Sequence, residues 1–506
     1  MAIVIMDTNK HIVLFGAGKS ATVLIDYLKQ VATTNNWKVT VADSNLEMAS
    51  SKVGEHAYIK AIQTDIQNAE QRKQLIKESD LVISMMPAFL HNLIAFDCVA
   101  ESKHLLTASY VDDEIKTLQN EIKSKGLIFL CEMGLDPGID HMSAMKLFHE
   151  IKNNGGTITS FKSHCGGLIA PESDDNPWHY KISWNPRNIV LAGKAGAHFK
   201  ENGKEINLAY EELFNPEKIV QVPECGLFAY YPNRDSLSYA SLYEIENAAT
   251  FVRTTLRHPD FSFGWKNIID LKLTDEEKIY ETDGMSVAQF FKLHFQQHGF
   301  NEWLNQMLSS KLNYAKQMME KLSDLIETEN KQTVGISTNA FMMVDDKGEL
   351  NAVDVDNAKN KAAETVALKM HEANLSMKQL FFLGLEDETP INKGICSAAD
   401  VLQFIAERKL ALQPEDKDMI VMLHEIEFEQ NGEQKKIESS LVVKGDNSLR
   451  TAMAKTVGLP LGIAAKLILE GAIQMKGVHI PIHKEIYNPV LKELESFGIH
   501  FNEKLM

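Results

Sequence analysis

The residue types with chemistry to offer concentrate in two segments, EMGLDPGIDHMSA from Glu132 and SHCGGLIAPESDDNPWHYKISW from Ser163 to Trp184. Glycines, prolines, paired acids, one cysteine and aromatics share these polar turns, the profile of a small-molecule site. Asp136 and Asp140 lie on a proline–glycine turn after an apolar run, at the edge where open α/β sheets bind ligands. Asp140 has a plain alternative as the cap of the helix HMSAMKLFHE, whereas Asp136 precedes Pro137 and cannot cap so simply. Ser109 and Tyr110 end the preceding apolar run and belong to the same rim.

A second chemistry resides at the N-terminal end. Gly16, Gly18 and Ala21 fill the GxGxxA positions between the apolar run HIVLF and the helical pattern TVLIDYLKQVA. The first glycine permits the tight turn, the second lets backbone N–H groups reach a pyrophosphate, and the small third residue lets helix and strand pack closely. Asp43 ends the next strand, WKVTVA, about 20 residues further on, the spacing of a carboxylate that accepts from the ribose hydroxyls and repels a 2′-phosphate. That argues for NAD, with NADP as the alternative, because the next positions, Ser44 and Asn45, include no arginine. A solvated turn aspartate is the alternative account of Asp43, which the spacing disfavours. Asp65, after a third strand, either approaches the adenine or caps the following helix.

The elements that must position these residues follow from periodicity. Apolar runs at HIVLF, WKVTVA, DLVISMMP, HLLTASY and GLIFLCEMG alternate with helical stretches, which predicts a Rossmann-type doubly wound parallel sheet over residues 1–145. After that the pattern changes to β-rich runs with loops, which predicts a second, mixed α/β domain over 146–449 with an antiparallel sheet and a helical insertion over 287–411. Asn431–Gly432 between alternating apolar runs reads as a hairpin turn. The amphipathic helix LGIAAKLILEGAIQ and the tail, within 450–506, are expected to return to the first sheet and cover it.

Composition narrows the function classes. The 506 residues are 44% hydrophobic and 24% charged, with a formal net charge of −17, which opposes a nucleic-acid or anionic-membrane partner and leaves a small-molecule substrate. A homodimer is compatible with the sequence. No apolar stretch of about 18 residues and no leader pattern are read, so the cytoplasm is the expected setting. Cys98, Cys131, Cys165, Cys225 and Cys396 form no CxxC pair and suit a reduced compartment. His294/His298 and His479/His483 have i,i+4 spacing without the HExxH glutamate, so no metal site is expected.

TASY, EMGLDPGIDHMSA, SHCGGLIAPESDDNPWHYKISW, YPNRDS from Tyr231, RTTLRH from Arg253 and SLRTAMAKTVGLPLGIAAKLILEGAI resemble the saccharopine reductase family, the glutamate-forming saccharopine dehydrogenases of lysine metabolism. The resemblance implies an oxidoreductase that interconverts L-saccharopine with L-glutamate and 2-aminoadipate 6-semialdehyde. It implies nucleotide contacts at Ala17, Gly18, Lys19, Ser20, Asp65, Ile66, Met86, Leu135 and Met142, and saccharopine contacts at Ser109, Tyr110, Asp136, Arg234, Thr255, Leu256 and Arg257. Cys165 and Trp184 match residues lining the same cleft, Trp184 being grouped with the cofactor contacts. At Asp43–Asn45 the chain departs from the NADP-using fungal members, which carry an arginine there.

Saccharopine has three carboxylates, so Arg234 and Arg257 are the natural clamps, each able to bind one bidentately. Structural ion pairs are the alternative for either. Proton traffic at the bridging amine is expected to run through Cys165 as acid/base, with Asp136 and Tyr110 assisting, although a small buried residue is the simpler account of the cysteine. A related imine reductase such as carboxynorspermidine dehydrogenase and a non-catalytic dinucleotide-binding protein are the other functions compatible with these motifs.

Overall fold

The computed structural model describes residues 9–300, scattered positions between 302 and 320, and 341–344, 350–353 and 355–506. Most of the expected helix NQMLSSKLNYAKQMMEKLSDLIE lies outside the described residues. The chain forms two compact units, residues 1–262 with 410–506, and residues 263–409.

The first unit contains two sheets. Strands β1 (His11–Phe15), β2 (Lys38–Asp43), β3 (Ile59–Gln63), β4 (Leu81–Ser84), β5 (His104–Thr107) and β6 (Ile128–Leu130) are all parallel, and Gly477–His479 adds a seventh strand beside β6. The order runs Gly477–His479, β6, β5, β4, β1, β2, β3, which reverses direction at β1 and β4 and opens a crevice at their carboxyl ends. The strands are buried on both faces, as their continuous apolar runs require.

The C-terminal helix Ala452–Leu469 packs on α1 (Thr22–Asn35), where Gly458 and Gly462 let the two helices approach: an added Cβ on Gly458 would lie 3.0 Å from the Leu24 backbone nitrogen. This helix corrects one expectation. It is long and apolar enough to cross a membrane, yet 78% of it is buried in the fold, which marks a core helix between layers. Its two lysines, Lys455 and Lys466, reach out of the core to Asp446 and Glu493.

The second sheet has ten strands and mixed directions. Its centre is β7 (Thr157–Ile169), parallel to Thr250–Arg257 on one side and antiparallel to Asp418–Gln430 on the other. Asp418–Gln430 continues into Glu433–Lys444 through Asn431 and Gly432, both at positive φ, 55° and 78°, the conformation that a two-residue turn of this hand demands. One face of the sheet meets helix Ile139–Asn153 of the first sheet's layer, through contacts such as Ser143 Oγ with His424 Nε2 at 2.7 Å.

The unit of residues 263–409 carries helices Val287–His298, Val355–Leu383 and Ala398–Lys409, and also a β pair, Phe341–Val344 with Leu350–Val353, inside the span read as helical. His294 is wholly buried there, held by the Tyr280 hydroxyl and the Leu271 carbonyl, so it packs as a core histidine.

Candidate active site

The nucleotide loop is built by strand ends. Gly16 sits at φ +97°, and a Cβ there would come within 2.9 Å of the Met85 carbonyl, so both its conformation and its neighbour require glycine. Gly18 has nothing within 4 Å of the same construction, leaving its outer side open to a ligand. Asp43 braces the loop: its Oδ2 accepts from Ala17 N–H at 2.7 Å and its Oδ1 from Asn45 N–H at 2.8 Å. Each carboxylate oxygen keeps a lone pair for a further donor.

Beyond Asp43 a cavity of about 220 Å³ is lined by Phe15, Ala42, Asp43, Ser44, Thr64, Asp65, Ile66, Met86 and Leu90. An acidic rim on an apolar slot beside a glycine turn fits the ribose and base of a dinucleotide. Five expected contacts, Asp43, Ser44, Asp65, Ile66 and Met86, meet there. Asp65 also accepts from Gln67 N–H at 2.9 Å. Lys19 is exposed and Ser20 half-buried on the turn itself.

Two expected cofactor contacts turn their side chains into the core. Met142 is 0% exposed within the main apolar cluster and offers no side-chain surface to a cofactor, because helix Ile139–Asn153 turns that position inward. Leu135 is likewise packed into that cluster. Lys52, which sequence reading passed over, places its ammonium 2.6 Å from the Gly18 carbonyl and close to Asp43. Burial pulls it down to about 8 against the pull of Asp43 and Asp26. Its signal was a lysine one helix beyond the acidic position, in α2 (Leu46–Val53).

The second cluster lies where the end of β6 meets the central strands of the second sheet. Register aligns Tyr231, Thr255, Cys165 and Met422 in one row, and Arg253, Ser163 and His424 in the next. Alternation turns these side chains toward helix Ile139–Asn153 and sends Leu256 to the opposite face, where it packs with Leu168, Val421 and Leu423. Leu256 therefore turns its side chain away from this row.

Arg253 is the residue missed, although it begins the quoted motif RTTLRH. It is buried, its Nη2 donates to Asp136 Oδ1 and to Asp140 Oδ2, the latter at 2.8 Å, and its guanidinium lies 4.7 Å from the Tyr239 ring centre. Asp140 also accepts from Gly138 N–H at 2.6 Å, so it serves the helix start without being its cap. Behind them Glu132 accepts from Tyr239 at 2.9 Å and bonds His141 at 2.8 Å, while His141 reaches the Tyr243 hydroxyl. Three carboxylates thus face one guanidinium and one imidazole in a buried site.

The expected clamps differ from Arg253. Arg257 is buried, its Nη1 donates to the Leu256 carbonyl at 2.9 Å, its Nε has no hydrogen-bond partner, and it lies over Tyr180 and Phe261. Arg234 is exposed, at φ 50°, with its guanidinium 5.3 Å from the Tyr110 ring centre. Among the described residues no carboxylate forms an ion pair with either. Trp184 is half-buried and hydrogen-bonds Tyr180, next to the Arg257 stack. Ser109 is tied to His91 Nε2 at 2.8 Å, whose Nδ1 meets Ser84 Oγ at 2.7 Å; burial pulls His91 down to about 4, so it is neutral.

Electrostatics reassigns the proton carriers. Burial, then Asp136 and Asp140, push the Cys165 thiol well above its ordinary value, and burial likewise raises Tyr110. Both shifts favour the protonated forms near neutrality, which weighs against the acid/base role expected of Cys165. Asp136 is pushed up to about 6 by burial and by Asp140, against the pull of Arg253.

Residues 12–130 match the saccharopine dehydrogenase NADP binding domain and residues 134–499 the saccharopine dehydrogenase C-terminal domain. The chain is 32% identical to alpha-aminoadipic semialdehyde synthase of Arabidopsis thaliana, over 99% of this chain and 45% of that one. It thus spans about half the length of the semialdehyde synthases it matches. It is 31% identical to saccharopine dehydrogenase (NADP(+), L-glutamate-forming) of Pyricularia oryzae, covering 98% of this chain and 99% of that protein. The solved apo histidine-tagged saccharopine dehydrogenase (L-Glu forming) from Saccharomyces cerevisiae matches at TM-score 0.75 and 27% identity, covering 98% of this chain and 100% of that one. The chain belongs to the saccharopine dehydrogenase family.

Proposed function

We propose that the protein interconverts L-saccharopine with L-glutamate and 2-aminoadipate 6-semialdehyde, using a nicotinamide cofactor. The observation that carries this reading is the contrast among three arginines on one rim: Arg253 is consumed by Asp136 and Asp140, whereas Arg257 and Arg234 carry no carboxylate among the described residues. A buried guanidinium with a free Nε beside aromatic faces is suited to a ligand carboxylate. Full-length similarity to relatives named for this reaction supports the same substrate.

The residues divide the work. Arg257 and Arg234 bind substrate carboxylates, Ser109 and Thr255 add hydroxyl contacts, and the excess negative charge of Asp136, Asp140 and Glu132 attracts the bridging ammonium. Asp136 takes the ammonium proton, and the charges that remain on Asp140 and Glu132 stabilise the developing iminium. Cys165 and Tyr110, kept neutral, donate hydrogen bonds. The nicotinamide supplies the hydride acceptor.

Cofactor choice belongs to Asp43 and Lys52. Asp43 disfavours a 2′-phosphate, while the neighbouring Lys52 ammonium offsets that repulsion. The protein accepts both cofactors on this reading, NAD through Asp43 and NADP through Lys52; the relatives named for NADP(+) support the second. The five cysteines are free, which suits a cytoplasmic setting.

The test mixes purified protein with saccharopine and either cofactor and follows reduced-nicotinamide absorbance. No reduction with either sinks the reading, and turnover of a carboxylated polyamine in place of saccharopine would establish the imine-reductase alternative.

A further inference from the structure

Outside the active site, four side chains far apart in sequence converge beside Arg257. Asp174 follows the short turn Pro171–Ser173, His179 lies in the loop before Tyr180, and His258 and Asp260 stand at the start of helix Pro259–Asp270. One ligand atom from each of His179, His258 and Asp260 lies within 4.8 Å of the others, and all three residues are half-buried, open to water on one side. His179 Nε2 is 3.4 Å from Asp260 Oδ2. Donors bound at ~2.0–2.1 Å to a tetrahedral ion stand roughly 3.4 Å apart, so this pair already has the spacing of neighbouring ligands.

The other ring nitrogen supplies a separate observation. His179 Nδ1 meets Asp174 Oδ2 at 2.6 Å while Nε2 faces Asp260, the carboxylate–histidine arrangement that orients metal-binding imidazoles. Asp174 and Asp260 thus place two carboxylates beside the two imidazoles, a donor set suited to a dication. The His179 and His258 rings lie 3.9 Å apart, and His258 Nδ1 accepts a single 3.2 Å bond from Asp260 N–H. One His258 ring nitrogen already lies within 4.8 Å of the ligand atoms of His179 and Asp260.

We propose that His179, His258 and Asp260 bind a zinc ion, with Asp174 orienting His179 and water completing the tetrahedron. Two nitrogens and one oxygen suit zinc over calcium or magnesium, which take oxygen ligands. The ion ties together the two segments that flank Arg257, since Tyr180 follows His179 and His258 follows Arg257. The i,i+4 histidine pairs that drew attention in the sequence have no part in it.

The competing account is a protonated His179 held between Asp174 and Asp260 with no ion. The full chain, stripped with a chelator and titrated with zinc chloride in a calorimeter, should bind one equivalent at this site. Asp174→Asn should weaken it by about 10–100-fold and His258→Gln or Asp260→Asn by more, while the control His500→Ala, at an exposed position, should leave it unchanged. X-ray absorption of the zinc-loaded wild type should show two imidazole nitrogens with oxygens, a readout that does not depend on any variant folding. Absence of stoichiometric binding, binding that survives the cluster substitutions, or sulfur among the ligands overturns the proposal.

Discussion

Arg253 and Asp136 meet across the junction of the two sheets, and the same Arg253 nitrogen also holds Asp140. The proposed base is therefore aimed by a cation that comes from a strand more than a hundred residues away. Replacing Arg253 by alanine leaves two buried carboxylates facing each other, so unfolding in urea should show a loss of about 3–5 kcal/mol. Arg253→Lys should retain part of that stability yet lower kcat, because one ammonium cannot reproduce the fork geometry.

On the proposed mechanism, Asp136 sets the pH dependence. Its value rises from an ordinary 3.8 to about 6, so the carboxylate needed for proton removal is lost below that pH. Saccharopine oxidation should rise with pH through about 6, and Asp136→Asn should lower the rate and abolish that limb. The stability sign is opposite to that of a salt-bridged acid: the folded state binds the proton more tightly, so this group's contribution is full below about pH 4 and lost as pH rises through 6.

Arg257→Ala should lower kcat/KM for saccharopine by roughly 100-fold or more, an effect of about 3 kcal/mol for losing a buried charge-assisted partner. Steady-state kinetics with saccharopine and with a substrate lacking one carboxylate separates the cases: the truncated substrate should be insensitive to the change if Arg257 binds that carboxylate.

Cys165→Ser should leave the shape of the pH–rate profile unchanged, since burial and two carboxylates keep the thiol protonated across the working range. A shifted or missing limb in the serine variant would restore the cysteine as a proton carrier.

Cofactor discrimination should respond to the pair at the nucleotide loop. Lys52→Ala should raise KM for NADP by about 5–50-fold with little change for NAD, matching loss of about 1–2 kcal/mol from one partly exposed cation. Asp43→Ala should shift preference the other way and also cost stability, because Asp43 braces Ala17 and Asn45.

The amino-acid sequence by itself determined the parallel sheet, the glycine turn with Asp43, the Asn431–Gly432 hairpin and the identity of the chemical segments. These are local properties: period-two and period-3.6 patterning, positive-φ glycines and short spacings are written in neighbouring residues. Tertiary structure decided what each site residue touches. Leu256 and Met142 belong to matching motifs yet face the core, because strand alternation and helix phase, fixed by packing partners elsewhere in the chain, choose which neighbour in a motif looks outward. Arg253, Arg257 and Arg234 are the same residue type within one short stretch, and only the fold gave the first to Asp136 and Asp140 while leaving the others without a protein carboxylate. Burial made the final distinction, raising the Cys165 thiol well above its ordinary value and the Asp136 carboxyl to about 6, since desolvation is a property of the packed site and of no residue alone.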